Sequence, residues 1–161
     1  MAKVYLICGK LCSGKSTYAA ELRRRNKAVL LSCDEIMLSL FDPYLGDQHD
    51  TIAGKTKKYL YEKSVEILDT GINVILDWGF WRKKERDYAK EFYQSQNIAY
   101  EFHYLDINDE TWKARLNKRN QDILNGNAQA YFVDDNLAQK FERLFEMPDK
   151  DEMDVWVRES T

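Results

Sequence analysis

The sequence is short of several features that would assign it to a class at once. It has only three cysteines, Cys8, Cys12 and Cys33. So odd and sparse a set excludes a disulfide framework, and with no CxxC pair and no histidine nearby it does not spell a metal site. Reduced thiols and a cytoplasmic setting are the expectation. No apolar run approaches the ~20 residues that span a bilayer, and the apolar run in MAKVYLICGK is too short for a signal peptide core. A soluble protein without a membrane partner is expected. Neither sign of charge dominates: 24 Lys+Arg against 27 Asp+Glu leave −3, which argues against a protein held to nucleic acid by bulk charge. There is no repeat, low-complexity stretch or linker. One domain over residues 1–161 is expected, large enough for a real core.

What is present is an alternation of strand and helix patterns. KVYLIC (3–8), AVLLS (28–32), NVILD (73–77) and IAYEFHYLD (98–106) are short apolar runs, most of them nearly continuous, as in strands buried on both faces. Helical patterns lie between them. One covers 16–25, with Ala19 and Leu22 inward. Another covers 33–41, with acidic residues in its first turn and Pro43 behind it. A longer one covers 51–70, with Tyr59, Leu60, Ile67 and Leu68 on one face, and a basic amphipathic one covers 82–96. Asn108 is placed to cap a helix through Trp112 and Leu116 to about Ile123. A last helix carries Leu137, Phe141, Leu144 and Phe145, and DVWVRES offers an edge strand. The alternation predicts an α/β fold with a mostly parallel sheet.

Gly9-Lys10-Leu11-Cys12-Ser13-Gly14-Lys15-Ser16 fits G-x-x-x-x-G-K-[ST] at every fixed position. It also falls between a strand pattern and a helix pattern, the context in which the motif has a mechanism. Glycine lets the backbone curl so that successive N–H groups face phosphate oxygens, and the helix adds its N-terminal partial charge. The expected cradle is Gly9, Leu11, Cys12, Ser13, Gly14, Lys15, Ser16 and Thr17. Lys15 would reach the β/γ-phosphates, and Ser16 would bind Mg²⁺.

Three classes share such a cradle. A GTP switch would carry D-x-x-G and N-K-x-D, and neither is present; Asp77-Trp78-Gly79 has the wrong spacing. A motor ATPase would end its third strand in Asp-Glu, and VILDW has Trp after the Asp. These absences turn the reading to a kinase, whose acceptor is a hydroxyl. Such a kinase needs a carboxylate beside the acceptor, an acid that helps hold Mg²⁺, and arginines for the developing charge. Asp34, just past the second strand, is the candidate for the first role; a helix N-cap is its alternative. Asp77 is the candidate for the second. Arg115 and Arg119 share a helix face just before an irregular segment, 120–135, read as a lid; a surface pairing such as Arg119 with Asp122 is the alternative. Arg82 and Arg86 are weaker candidates for the acceptor cleft. Trp78, Phe80 and Trp81 belong either to the core or to a substrate wall. His49 and His103 are read as structural.

Taken in order, GKLCSGKST, SCDEIMLSLF, VILDWGFWRKKER, RLNKRN and YFVDDNLAQKFERLFEMP resemble the P-loop kinases related to the bacteriophage polynucleotide kinase domain, an AAA-type ATP-binding, kinase-like group. Chloramphenicol phosphotransferase and the zeta toxins are similar but more distant. The resemblance implies a three-layer sandwich around a parallel five-stranded sheet in the order 2-3-1-4-5. It implies ATP and Mg²⁺ as cofactors, Asp34 as general base, Asp77 as the third-strand aspartate, and Arg115 or Arg119 as the lid arginine. Polynucleotide kinases carry an arginine three residues after the base, where this chain has Met37, and Trp78-Gly79 replaces the small polar residues after the third-strand aspartate. The expectation is therefore a kinase acting on a small-molecule hydroxyl. A 5′-hydroxyl nucleic acid kinase and a non-catalytic ATP-binding regulator are the alternatives.

Overall fold

Strand β1 (Lys3–Cys8) is buried from Val4 onward because it lies at the centre of the sheet and is covered on both sides. The computed structural model describes residues 1–42, 45–128 and 132–158. After β1 come α1 (Lys15–Asn26), β2 (Ala28–Leu31), α2 (Cys33–Leu40), a short 3₁₀ turn (Gly46–Gln48) and α3 (His49–Asp69). Then follow β3 (Asn73–Gly79), α4 (Lys83–Gln94), β4 (Ala99–Asp106), α5 (Asp109–Leu124), α6 (Asp135–Leu144), a 3₁₀ turn (Lys150–Glu152) and β5 (Val155–Arg158). The sheet order is β2-β3-β1-β4-β5, and every pairing is parallel. The α/β class, the strand order and the closing edge strand all agree with the sequence reading.

Alternation along the strands divides the core in two. Tyr5, Ile7 and Ile75 face α1, where Ala19 and Leu22 cover them. Val4, Leu6, Val74, Leu76 and Phe102 face the other way, against Tyr61 and Leu68 of α3 and Ala89 and Tyr93 of α4. Two satellite clusters matter for the site. Cys33 and Met37 of α2 pack on Leu60 of α3. Trp112 and Leu116 of α5 pack with Ile107, Val133 and the Leu11–Cys12 stretch.

One polar chain ties α1 to the sheet. Tyr18 donates to His103 Nδ1 (2.6 Å), and His103 Nε2 donates to Glu101 (2.7 Å), whose other oxygen accepts from Lys3 (2.9 Å). A carboxylate only accepts, so His103 Nε2 carries a proton, and in the neutral ring Nδ1 is the acceptor for Tyr18. His103 is thus structural, as expected.

Some boundaries shift. The third strand continues past Asp77 to Gly79, because Gly79 still pairs with Cys8. The last helix stops at Leu144, with Phe145 extended at its C-cap. Within the expected lid, residues 120–124 complete α5 and Asp135 begins α6, while residues 129–131 lie outside the described residues, as does Pro43. Asn120 is bonded in both directions to Val133, so the chain returns to α5 before α6 begins. No helix among the described residues is long and apolar enough to cross a membrane.

Candidate active site

The loop between β1 and α1 is shaped by close contacts. A Cβ on Gly9 would meet Ser13 Oγ at 2.7 Å and the Leu105 carbonyl at 3.3 Å, so only glycine fits. Gly14 precedes α1 with φ 94, the left-handed region, and Cys12 has φ 60. Ser13 is fully buried, and its hydroxyl has no hydrogen-bond partner among the described residues. A buried orphan of this kind needs explaining, and a bound phosphate would supply an acceptor. Lys15 donates to the Lys10 carbonyl at 2.9 Å. The residue as a whole keeps some exposure, but its ammonium sits among protein atoms; burial lowers its pKa, and Asp34 and Asp77 oppose the shift. The Cys8 thiol below the loop is pushed up to about 12 by burial and is inert.

The start of α1 is open. Its N-cap residue Gly14 offers no side-chain acceptor, and no acid stands in the first turn. By contrast Ser32, Asn108 and Asp134 accept from backbone N–H groups at the starts of α2, α5 and α6. Free N–H groups and an uncompensated helix dipole suit a polyanion. The expected cradle residues, Gly9, Leu11, Cys12, Ser13, Gly14, Lys15, Ser16 and Thr17, therefore form one continuous loop and first helical turn.

Sheet register brings the carboxylates to the same edge. β2 and β3 pair through Leu31 and Leu76, so Ser32 and Asp77 follow side by side. β1 and β3 pair through Cys8 and Gly79, and the Gly9 N–H donates to the Gly79 carbonyl at 3.0 Å. The Asp77 carboxyl is pushed up to about 6 by burial, against the pull of Lys15 and a hydrogen bond from Ser32, while Asp34 pushes it further up. Asp34 is not the N-cap of α2. Ser32 takes that place with extended backbone, accepting from the Glu35 N–H at 3.3 Å, and Asp34 stands exposed one residue into the helix. Among the described residues no three His, Cys, Asp or Glu side chains gather as a metal-binding group. Ser16 at the start of α1 and Asp77 near the end of β3 carry oxygen atoms of the kind a hard divalent cation takes.

Arg119 reaches the loop: its Nη1 donates to Cys12 Sγ at 3.7 Å, and no ion pair joins it to Asp122 among the described residues. Arg115 lies half-buried on the same face, one turn earlier. Arg86, a cleft candidate, is instead structural. It is 1% exposed, donates to the Phe80 carbonyl (2.9 Å) and pairs with Glu152 (3.1 Å). Arg82 precedes α4 with its Nε buried and without a partner among the described residues. Of the three aromatics after Asp77, Phe80 is fully buried core, while Trp78 is half-buried and packs edge-on to Tyr61 at 5.3 Å at the margin of the core.

Two residues of the loop's surroundings escape the sequence pattern. The Trp81 indole donates to the Gly9 carbonyl (3.0 Å), and the Trp112 indole donates to the Leu11 carbonyl (2.6 Å). A buried indole N–H seeks an acceptor, which was the only signal available, and it does not say which acceptor.

A parallel sheet in this strand order, with a glycine-rich loop leading from its central strand into an uncapped helix, defines a P-loop NTPase domain. Residues 4–148 match the family model described as an AAA domain, and the chain belongs to that family. A search of curated proteins finds no match. Among solved structures, a sugar kinase from Janibacter sp. HTCC2649 is similar with TM-score 0.66 and 18% identity, over 98% of this chain and 86% of that one. The APS kinase CysC of Mycobacterium tuberculosis, solved with AMPPNP and APS, gives TM-score 0.68 and 16% identity, over 98% and 88%. A chain of the Pnkp1/Rnl/Hen1 RNA repair complex gives TM-score 0.70 and 20% identity, over 89% of this chain and 43% of that one. At these identities the likeness is one of fold.

Proposed function

We propose that the protein is an ATP- and Mg²⁺-dependent phosphotransferase acting on a hydroxyl group of a small molecule. The observation that carries this reading is that register and helix start bring Asp77 and Asp34 to the sheet edge where Lys15 begins α1, with Ser32 relieving Asp34 of the cap; both carboxylates oppose the fall of the Lys15 pKa. A motor or switch needs no second exposed carboxylate of this kind; a kinase needs one beside its acceptor. The N–H groups of the loop and of α1 bind the phosphates. Lys15 leaves the Lys10 carbonyl to reach them. Asp34 accepts the proton of the acceptor hydroxyl. Arg119, with Arg115 beside it, neutralises charge on the transferred group. Mg²⁺ held by Ser16 and Asp77 adds charge neutralisation when bound. The chain acts as one domain.

Met37 supports a small acceptor over a nucleic acid end. It is 1% exposed, packed with Cys33 and Leu60, so no cation stands where the polynucleotide kinases place an arginine. Three free thiols fit a cytoplasmic setting.

The test is a screen of a metabolite pool for phosphorylated products formed with ATP and Mg²⁺, with Asp34→Asn as control. A product made by wild type and not by the variant supports the reading. Full activity in Asp34→Asn refutes the base assignment. Tight ATP binding with no product from a broad pool favours the regulator, and label on a 5′-hydroxyl oligonucleotide alone moves the acceptor to nucleic acid.

A further inference from the structure

The loop described above is held in shape from outside, by groups that belong to no phosphate-binding motif. Three consecutive carbonyls, those of Gly9, Lys10 and Leu11, accept from side chains: the Trp81 indole at 3.0 Å, the Lys15 ammonium at 2.9 Å and the Trp112 indole at 2.6 Å. Only the middle one belongs to the motif. The peptide bonds of this loop are trans, so a carbonyl and the N–H that follows it point in opposite directions. The Trp81 bond thus directs the Lys10 N–H away from the Trp81 ring, and the Trp112 bond directs the Cys12 N–H away from the Trp112 ring.

Both rings are firmly seated. Trp112 is 2% exposed, and the Lys10 ammonium lies 5.1 Å from its ring centre. Trp81 packs edge-on against Phe141 of α6 at 5.0 Å. Gly79, at φ 89, leaves the indole its room: a Cβ there would stand 2.6 Å from the Trp81 ring nitrogen.

We infer that Trp81 and Trp112 are positioning residues for nucleotide binding, clamping the loop in its binding-competent shape before the nucleotide arrives. This rests on the proposal that the loop binds nucleotide. A loop already in the competent shape does not spend binding energy on ordering itself; a loop released from one bond populates that shape less, and its apparent affinity falls by the same fraction. One neutral hydrogen bond corresponds to roughly a fivefold change in Kd.

The test is calorimetric titration of the full chain with Mg·ATP and, separately, Mg·ADP. Trp81→Phe and Trp112→Phe keep a ring and lose the donor. Trp156→Phe is the control: it loses an indole bond from the edge strand to the Asp106 carboxylate at 3.1 Å. Each loop variant should raise Kd about fivefold for both nucleotides, while the control leaves Kd within twofold at a comparable loss of melting temperature. Phe141→Leu, which takes away the ring that Trp81 packs on and leaves the indole and the loop residues in place, should raise Kd in the same sense and serves if a tryptophan variant fails to fold. Wild-type fluorescence should change on nucleotide addition, and the change should shrink in Trp81→Phe or Trp112→Phe but not in the control. Unchanged Kd in both loop variants, or an equal rise in Trp156→Phe, overturns the inference. A wild type that binds nucleotide but transfers no phosphoryl group leaves it standing and removes only the phosphotransferase; a wild type that binds no nucleotide removes both.

Discussion

Two helices begin beside Lys15, and their first turns are built in opposite ways. α1 starts from a glycine with no acceptor side chain and no acid in its first turn, so its N–H groups and dipole are left for something outside the chain. α2 starts from Ser32, which satisfies one of its own N–H groups, and then carries Asp34 and Glu35. One helix start is electropositive and unsatisfied; the other is satisfied and negative. Side by side at the end of a parallel sheet, they hold a phosphate donor and a proton acceptor apart in function while close in space.

The variants that break this contrast should differ in size and in kind. The largest effect is expected from Lys15→Ala, which removes the motif lysine whose ammonium is proposed to reach the phosphates. Phosphoryl transfer should fall by about 10³-fold or more, with weaker nucleotide binding, in a single-turnover assay. Asp34→Asn comes next: a neutral isostere on the α2 side should lower kcat by about 10²-fold or more and leave the calorimetric Kd for ATP within twofold. A matching loss of ATP affinity would mean that the two helix starts do not divide the labour as proposed. Ser32→Ala should cost about 1 kcal/mol as a lost cap, read as a lower urea midpoint. Because Ser32 also bonds Asp77, this variant should lower kcat by more than the stability loss explains.

The smallest expected effect concerns pH. Burial lowers the pKa of His103 below its ordinary value near 6.5. For Glu101 burial acts upward, but hydrogen bonds from Lys3 and His103 outweigh it and leave its pKa below 4.5. Both folded pKa values lie below the unfolded ones, so both groups contribute stability that is present above the unfolded values. That stability is lost as pH falls through the folded ones. This chain holds α1, through Tyr18, and has no counterpart in the bonds of α2. Melting temperature should decline from pH 7 to pH 4, and His103→Gln should flatten the upper part of that decline. Identical profiles for the two proteins would show that the chain is not the acid-sensitive element.

The fold was legible because its strands are buried on both faces, so KVYLIC and NVILD stand out without any need to know their neighbours. The loop motif was legible because it is local: every fixed position falls between Gly9 and Ser16. The rest depended on distant partners. Nothing in the spacing tells Ser32 from Asp34 as the cap; the extended backbone of Ser32 decides it. Arg86 reads as a weak candidate for the acceptor cleft until Glu152, 66 residues on, comes to pair with it. Trp81 and Trp112 meet carbonyls 72 and 101 residues away, and an aromatic after a strand gives no hint of that. Trp78 and Phe80 were ambiguous between core and substrate wall for the same reason.

The pairing of Arg86 with Glu152 reaches the loop at one remove. Arg86 also holds the Phe80 carbonyl, next to Trp81, so the bracket on the loop leans on a carboxylate 66 residues further along. Replacing Glu152 by glutamine would leave a guanidinium in the interior without its counterion, and the cost would fall on the segment that carries Trp81.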